Sequence, residues 1–206
     1  MEKVDHWNNV YAKKPGKNVG WYEENPTLSL EFIDACDLET DATIFVAGAG
    51  TTNLVPHLLK KGFKNIIAND ISPIALETLA SNLGPDAQKI NFVVDDLTNP
   101  KALTEMDAVD LWVDRAVLHF FLEENEIAAY FNLLKDKVKV GGYVLIATFS
   151  KEGAKKCTGL PILPYSPEEL QKWLGDDFSF LKNEYITHFM PSGDERPYHY
   201  GLYKRK

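Results

Sequence analysis

A chain of 206 residues with 45% hydrophobic and 25% charged residues suits a single globular domain with a substantial core. Its net charge of −8 argues against a nucleic-acid partner, because nucleic acids usually require a basic face. No apolar run approaches the roughly 20 residues of a membrane span, and the first residues lack a signal-peptide pattern, so we expect a cytoplasmic protein without membrane contact. Two widely spaced cysteines predict neither a redox pair nor a metal site.

The first 30 residues are polar and carry four large aromatic side chains, at Trp7, Tyr11, Trp21 and Tyr22. Trp7 and Tyr11 are four residues apart and share a face if this segment is helical. Such residues either anchor the segment to the domain or cover a binding site. We expect residues 1–30 to form a lid.

A glycine turn between an apolar strand and a helix is the most informative pattern in the chain. The apolar run from Thr43 ends on Ala47-Gly-Ala-Gly50, and a helical pattern begins at Leu54. Glycine at 48 and 50 lets the backbone approach a ligand closely, because a Cβ atom would fill that space. Asp70 ends the next apolar run, and its carboxylate can accept hydrogen bonds from both hydroxyls of a ribose. The combination predicts a nucleoside-like ligand at the strand ends.

Strands and helices continue to alternate as far as Phe149. This alternation predicts a parallel sheet with helices on both faces, which binds its ligands at the carboxyl ends of the strands. The later predicted strands are Asn65–Asn69, Ile90–Val94, Val109–Val113 and Tyr143–Phe149, and the predicted helices are Leu54–Lys61, Ser72–Asn82 and Glu123–Val138. Polar residues follow three of these strands, at Asp70, Asp95-Asp96 and Asp114-Arg115.

The alternation ends after Phe149. Residues 151–164 predict an irregular connection, and a short helix runs from Ser166 to Leu174. Two extended stretches, 179–189 and 198–203, are joined by a short turn, which permits only antiparallel pairing. We therefore predict an α/β, Rossmann-like domain with a seven-stranded, mostly parallel sheet whose last strand is antiparallel. Residues 1–206 form one domain, with a cofactor-binding core over 43–150 and a substrate-side segment over 151–206.

These features resemble class I S-adenosylmethionine-dependent methyltransferases. The residues that carry the likeness are the turn at 47–50, Asp70, Asp95-Asp96 and the closing hairpin, whose reversed strand is typical of that fold. Segments 7–11, 20–22 and 114–119 resemble the branch that includes thiopurine methyltransferase-like enzymes. The resemblance implies methyl transfer from S-adenosyl-L-methionine, with S-adenosyl-L-homocysteine as the product.

Two positions depart from the family pattern. The acidic residue that the family usually has two positions before the first glycine is Val46 here, and Thr52 stands where a third small residue of the turn is usual. In the family that acid helps to hold the amino group of the cofactor. We therefore expect backbone carbonyls or Asp114 to take this role. The alternative is a non-catalytic member with weakened cofactor binding.

The resemblance also implies which residues hold the cofactor. Asp70 binds the ribose, the glycine turn holds the methionyl part, and an acid after the third strand accepts a hydrogen bond from the adenine amine. Asp96 with Leu97 fits the last role, and Asp95 is the alternative, because neighbouring strand residues point in opposite directions. Aromatic faces and Asp114 can stabilise the positive sulfonium. The expected cofactor-binding residues are Trp7, Tyr11, Trp21, Ala47, Gly48, Ala49, Gly50, Asp70, Ile71, Asp95, Asp96, Leu97 and Asp114.

Methyl transfer requires alignment of the acceptor and exclusion of water, and a base near pKa 7 is useful where the acceptor must lose a proton. His119 is the first candidate for this base, and we expect His119 and Asp114 to be catalytic. The apolar neighbours of His119 leave a structural role open. Arg115 either pairs with a carboxylate of the chain, such as Glu23, or binds the acceptor. The expected substrate residues are Tyr22, Arg115, His119, Phe149, His188 and Arg196.

Other functions fit the sequence less well. A nicotinamide-dependent dehydrogenase would share the strand, turn and acid, but Asn53 stands at the third glycine of its fingerprint. The aromatic residues of the first segment favour a small-molecule acceptor, and a protein lysine acceptor is the alternative. No metal is required for methyl transfer, and we expect a monomer or weak dimer.

Overall fold

The computed structural model describes residues 3–13, 19–190 and 192–206. Its α-helices are α1 (Lys3–Lys13), α2 (Thr27–Asp34), α3 (Leu54–Lys60), α4 (Pro73–Leu83), α5 (Glu124–Lys137) and α6 (Pro167–Leu174). Its strands are β1 (Thr43–Ala47), β2 (Asn65–Asp70), β3 (Ile90–Val94), β4 (Val109–Arg115), β5 (Val138–Phe149), β6 (Lys156–Cys157), β7 (Leu160–Pro161), β8 (Phe178–Phe189) and β9 (Glu195–Arg205). None of these helices is long and apolar enough to cross a membrane. Residues 1–2 and 14–18 of the predicted lid, and Pro191 of the closing turn, lie outside the described residues.

Seven strands form one sheet in the order β3-β2-β1-β4-β5-β9-β8. Strands β1 to β5 pair in parallel, and β9 lies antiparallel between β5 and β8. The predicted fold class is confirmed, including the reversed last strand. Because β3, β2, β1 and β4 are neighbours, their carboxyl ends bring the predicted site residues to one edge of the sheet.

Strand β5 begins at Val138, earlier than the predicted Tyr143. The chain passes from α5 directly into this strand, and Val138 already pairs with Val109 before a register shift leads to the pairing of Leu111 with Tyr143. The predicted irregular connection at 151–164 also requires correction, because it contains the short antiparallel pair β6-β7. Two-residue strands are too short to produce a recognisable alternation of apolar and polar residues.

The central strands β1 and β4 are buried on both faces, as the apolar runs of a parallel sheet require, whereas the edge strand β8 is largely exposed. On β1, Ile44 and Val46 belong to a core cluster that includes residues of α2, α3 and α4. The intervening Phe45 and Ala47 belong to a second cluster with residues of α5 and α6. This alternation fixes which side chains at the end of β1 face each helical layer.

Candidate active site

A cavity of about 340 Å³ opens at the carboxyl ends of the central strands. Its volume lies within the range of small-molecule sites, about 300–1,000 Å³. One wall is built from strand-end residues and the loops that follow them, and the other is built from aromatic side chains. The lining residues that the sequence predicted are Trp7, Tyr11, Trp21, Gly48, Asp70, Ile71, Asp95, Asp96, Leu97 and Arg115.

The turn after β1 requires glycine at two positions. Gly48 and Gly50 both have a φ angle of +53°, in the left-handed region. A Cβ atom on Gly48 would lie 2.2 Å from Cγ2 of Val117, and one on Gly50 would lie 2.3 Å from the hydroxyl oxygen of Tyr11. Any larger residue would therefore strain the turn and push against the walls of the cavity.

Asp70, at the end of β2, is buried and holds the glycine turn from the side. Its Oδ2 accepts a hydrogen bond from the N–H of Gly50, and its Oδ1 accepts one from the N–H of Ser72, each at 2.8 Å. Burial raises the pKa of Asp70 to about 6, although these hydrogen bonds favour the charged form. Since a carboxylate offers about four acceptor positions, Asp70 can still accept hydrogen bonds from a ligand in the cavity.

The two acids after β3 have different surroundings. Asp95 Oδ2 accepts hydrogen bonds from the N–H groups of Lys101 and Leu103, so this carboxylate organises its own loop. Asp96 Oδ1 accepts hydrogen bonds from the N–H and the hydroxyl of Thr98. Both acids line the cavity. Asp96 uses only Oδ1 for its contacts with Thr98, so its Oδ2 is available to a ligand. This favours Asp96 over Asp95 as the acid that binds a ligand.

Asn69 is a site residue that sequence reasoning missed. Its side-chain N–H group donates to the carbonyls of Val93 and Asp95, each at 3.1 Å, and so joins the end of β2 to the end of β3. The backbone carbonyl of Asn69 accepts a hydrogen bond from the backbone N–H of Ala49 at 2.6 Å. The position directly before a strand-end acid was a usable signal, because a side-chain amide there can bind the backbone at the end of the neighbouring strand.

The aromatic wall of the cavity comes mainly from α1. The spacing of Trp7 and Tyr11 places both on the face of α1 that lines the cavity. The ring centroid of Trp7 lies 5.8 Å from that of Trp21 and 4.9 Å from that of Phe120, both edge to face. The ring of Tyr11 lies 6.1 Å from that of Trp21. Four aromatic rings thus form a continuous surface over the strand ends.

Contacts along its length hold α1 in this place. Lys3 Nζ lies 2.5 Å from Glu126 Oε1 on α5. The hydroxyl of Ser72, which also caps α4, donates to Asn8 Oδ1 at 2.6 Å. The Lys3–Glu126 pair is partly exposed, whereas the Ser72 hydroxyl is buried.

Asp114 and His119 do not occupy the catalytic positions expected of them. Asp114 is fully buried and accepts hydrogen bonds from the hydroxyl of Tyr130 and from the N–H groups of Val117 and Leu118. Burial raises its pKa to about 6. Its carboxylate shapes the loop after β4 and is not part of the cavity lining. Because its carboxylate is buried and bound within the protein, Asp114 does not replace the acid that is missing at position 46.

His119 is fully buried as well, and its ring is stacked on that of Phe149 with 4.6 Å between the ring centroids. Neither ring nitrogen has a hydrogen-bond partner within the described part of the chain. Burial, together with the positive charge of Arg115, lowers its pKa to about 3. An imidazole with so low a pKa is a weak base, and His119 does not line the cavity, so the structure favours the structural role that the apolar neighbours left open.

The remaining expected substrate residues also differ in their placement. Phe149 is buried beneath His119, and neither Phe149, His188 nor Arg196 belongs to the lining of the main cavity. A ring nitrogen of His188 lies 3.0 Å from the carbonyl oxygen of Gly20. Arg196 donates to the carbonyl of the preceding residue. Tyr22 lines a smaller cavity on the other side of the glycine turn.

Arg115 joins the first segment of the chain to the sheet. Its Nε donates to the hydroxyl of Tyr200 at 2.9 Å and lies 3.0 Å from Glu23 Oε2, and its Nη1 donates to the carbonyl of Trp21 at 2.9 Å. The ion pair with Glu23 is one of the two roles that the sequence left open for Arg115. The guanidinium also lies 5.1 Å from the ring of Tyr198, a cation–π contact.

A hairpin that the sequence did not predict adds a further part of the lining. Cys157, Leu160 and Pro161, from β6 and β7, border the main cavity, as do Phe120 and Phe121 after β4. The pKa of Cys157 is raised to about 11 by burial, so its thiol is neutral at physiological pH. The apolar character of these residues gives no sequence signal that separates lining from core.

The donor set of the cavity fits S-adenosylmethionine, the cofactor that the resemblance implies. Asp70 offers a buried carboxylate for a diol, and Asp96 and Leu97 offer an acceptor beside an apolar surface for a base. Four aromatic rings offer π faces to a sulfonium. The turn presents the backbone of Gly48 to the cavity, and Cβ atoms at Gly48 and Gly50 would collide with Val117 and Tyr11 in the cavity walls. These features match the separate chemical parts of that molecule.

Comparison with known sequences agrees with this assignment. Residues 44–142 match a family model described as a methyltransferase domain. A zebrafish (Danio rerio) protein, EEF1A lysine methyltransferase 2, is 25% identical over 158 residues, which cover 70% of this chain and 67% of that protein. Two further relatives are matched over 48% and 21% of their own lengths.

Solved structures share the fold over most of the chain. A SAM-dependent methyltransferase from Anabaena variabilis is 13% identical, with a TM-score of 0.78 over 100% of this chain and 96% of that one. The Burkholderia thailandensis 1,6-didemethyltoxoflavin-N1-methyltransferase, solved with its substrate and S-adenosylhomocysteine, is 16% identical, with a TM-score of 0.68 over 98% and 84% of the two chains. At these identities the likeness shows the fold alone.

Proposed function

We propose that this chain, which is a class I S-adenosylmethionine-dependent methyltransferase, methylates a small-molecule nucleophile within the cavity at its strand ends. The observation that carries the proposal is the surface of four aromatic rings, Trp7, Tyr11, Trp21 and Phe120, that faces the strand ends. A small acceptor can lie wholly between this surface and the glycine turn, where water is excluded.

The binding residues are proposed from the lining of the cavity. Asp70 is proposed to hold the ribose, and Asp96 with Leu97 the adenine. The backbone of the turn at Gly48 and Gly50 is proposed to lie along the methionyl part. S-adenosylmethionine supplies a methyl group that is already activated by its positive sulfur. The aromatic rings favour that positive charge, because the faces of Trp and Tyr attract cations.

The contribution of the chain to the reaction is positioning. With His119 and Asp114 buried away from the cavity, no histidine belongs to the described lining. Its carboxylates are Asp70, Asp95 and Asp96, whose roles are described above, together with Glu123 and Glu126, of which Glu126 pairs with Lys3. We therefore propose an acceptor that arrives with a free lone pair, such as an amine or a thiolate. Holding that atom in line with the transferred methyl group and excluding water supplies most of the acceleration.

The cavity is proposed to be covered by residues 1–30 acting as a lid, in a single domain with the core at 43–150. The polar contacts of α1 with Glu126 and Ser72 support this role, because neither partner belongs to the two hydrophobic core clusters. A lid of this kind admits the acceptor when it opens and excludes water when it closes.

A protein lysine acceptor is the second candidate, and the zebrafish relative named as a lysine methyltransferase favours it. A lysine side chain is slender and ends in an amine, so it is compatible with an aromatic cavity. A net charge of −8 is compatible with a basic protein substrate. The match covers 67% of that relative, so the relative's substrate is only a guide.

Turnover measurements separate these candidates. The purified chain is incubated with S-adenosylmethionine and either a panel of small amines and thiols or lysine-containing peptides and intact proteins, and S-adenosylhomocysteine formation is recorded. We expect a small molecule to support turnover and Asp70→Ala to abolish it. Turnover with lysine substrates alone would replace the first candidate by the second, and cofactor binding without turnover on either panel would contradict both.

A further inference from the structure

A second, smaller cavity lies directly behind the glycine turn. It has a volume of about 40 Å³, and it shares Trp21, Gly48 and Arg115 with the lining of the main cavity. A buried water needs about 10–15 Å³ of such space, so the small cavity can hold a few waters or one small polar group. The three shared residues lie between the two cavities, so a ligand in the main cavity would reach the small one beside them.

Val46 also lines the small cavity, and this is the position where the family pattern has an acid. An acid at 46 would project into this space, since Val46 lies on the same face of the sheet as α2 and α3. A carboxylate is nevertheless present there, because Glu23 from the segment before α2 lines the same cavity. The Glu23 side chain is 18% exposed, and its Oε2 lies 3.0 Å from Arg115 Nε.

Arg115 has one nitrogen without a partner. Nε and Nη1 donate to the Tyr200 hydroxyl and the Trp21 carbonyl, but Nη2 is buried and makes no hydrogen bond to residues 3–13, 19–190 or 192–206. Leaving a buried charged donor unsatisfied is unfavourable, and such groups usually indicate a function or a missing partner. An acceptor at the wall between the two cavities would satisfy it.

We propose that Glu23 and Arg115 together form a clamp for the α-amino acid end of S-adenosylmethionine. Arg115 Nη2 donates to the α-carboxylate, and the Glu23 carboxylate accepts from the α-ammonium group, in place of the acid that position 46 lacks. The α-amino acid end is a zwitterion, so it is complementary to an ion pair of opposite polarity, and charge-assisted hydrogen bonds of this kind are the strong ones. This inference rests on the proposed function, because it names further residues of the same site.

The clamp also explains why the partly buried pair lies at the boundary between two segments. Because Glu23 belongs to the segment that follows α1, binding of the amino acid end would fix that segment against the strand ends. A purely structural ion pair would join the same segments but would not distinguish ligands with an amino acid end from ligands without one. That difference is measurable.

The test is titration calorimetry with two ligands that share the adenosine and the thioether. S-adenosylhomocysteine has the amino acid end, and 5′-methylthioadenosine lacks it. The variants are Glu23→Gln and Arg115→Lys, which replaces the three guanidinium nitrogens by one ammonium group and keeps the positive charge, with Glu24→Gln as the neighbouring control. We expect each clamp variant to weaken S-adenosylhomocysteine binding by at least about tenfold, equivalent to 1.4 kcal/mol, and to leave methylthioadenosine binding unchanged.

Two outcomes would overturn the clamp while leaving the proposed function intact. One is an equal loss of affinity for both ligands in the variants, which is the result of a structural role alone. The other is equal affinity of the wild-type protein for the two ligands. This result would contradict the clamp even if a variant failed to fold. A wild-type protein that binds neither ligand would instead contradict the proposed function itself.

Discussion

The Oδ2 atom of Asp70 accepts a hydrogen bond from the backbone N–H of Gly50, with 2.8 Å between oxygen and nitrogen. The two residues are twenty positions apart in sequence, and this contact joins the end of β2 to the turn after β1. The acid that is proposed to bind ribose is therefore also the acid that holds the glycine turn in shape. Ligand binding and turn geometry depend on one carboxylate.

The pKa of Asp70 gives the first prediction, a loss of cofactor affinity in acid. Burial raises this pKa to about 6, so the carboxyl group takes up a proton as the pH falls through that value. A protonated carboxyl group accepts fewer hydrogen bonds from a diol. We expect the affinity for S-adenosylhomocysteine, measured by calorimetry between pH 8 and pH 5, to be constant above about pH 7 and to fall several-fold below pH 6. A flat profile would contradict the prediction that protonation of Asp70 near pH 6 weakens binding, and the Asp70→Ala variant then tests the contact directly.

A second prediction compares the two acids after β3. Asp96→Ala should lower the affinity for S-adenosylhomocysteine by roughly five- to thirtyfold, the effect of losing one hydrogen bond to a ligand, and should change the melting temperature little. Asp95→Ala should mainly lower the melting temperature, because Lys101 and Leu103 lose the carboxylate that accepts their N–H groups. Reversed effects in the two variants would assign the adenine contact to Asp95.

A third prediction concerns His119. Its pKa is lowered to about 3 in the folded protein, so the unfolded chain binds this proton more readily, and stability is lost as the pH falls from about 6.5 towards 3. At pH 5 the effect amounts to at most about 2 kcal/mol. Between pH 7.5 and pH 5, the denaturant concentration at the unfolding midpoint should therefore fall less for His119→Phe than for the wild type. An equal fall in the two proteins would contradict the lowered pKa.

The same variant tests the role of His119 in catalysis. We expect His119→Phe to retain turnover at pH 7.5, because the ring is buried against Phe149 and does not reach the cavity. Loss of a general base would lower kcat by about 10²–10⁴. A folded variant with a loss of that size would restore His119 as the base.

A fourth prediction tests the lid through tryptophan fluorescence. Trp7 contacts Trp21 and Phe120 above the cavity, whereas Trp173 is stacked on Phe131 at 5.4 Å in the second core cluster. Trp7→Phe should remove much of the emission change on S-adenosylhomocysteine binding and accelerate its dissociation, because the ring surface loses contact area. Trp173→Phe should leave both unchanged. Equal signals from the two variants would show that α1 does not cover the ligand.

The fold followed from sequence because its signals are local. The apolar run that leads to Gly48, the acid at Asp70 and the short turn before β9 each depend on neighbouring residues, and all three appear where predicted. The start of β5 did not follow, since Val138 continues a helical pattern and becomes a strand only through its pairing with Val109. Tertiary pairing of this kind leaves no local trace.

The site was only partly accessible from sequence for a related reason. The strand-end acids Asp70 and Asp96 line the cavity as the topology requires. His119 follows the end of β4 and Asp114 lies within that strand, but both side chains are buried in the core, where Asp114 accepts a hydrogen bond from Tyr130. The pairing of Glu23 with Arg115 spans many residues, and sequence alone left it as one option among several.

Calorimetric titration of the purified chain with S-adenosylmethionine, alongside NADH and the Asp70→Ala variant, tests the central claim most directly. We expect the wild type to bind S-adenosylmethionine but not NADH, and the Asp70→Ala variant to lose this affinity or to have it reduced at least about thirtyfold, equivalent to some 2 kcal/mol. Absence of binding to the wild type, or equal binding to the variant, would show that the cavity at the strand ends is not the cofactor site.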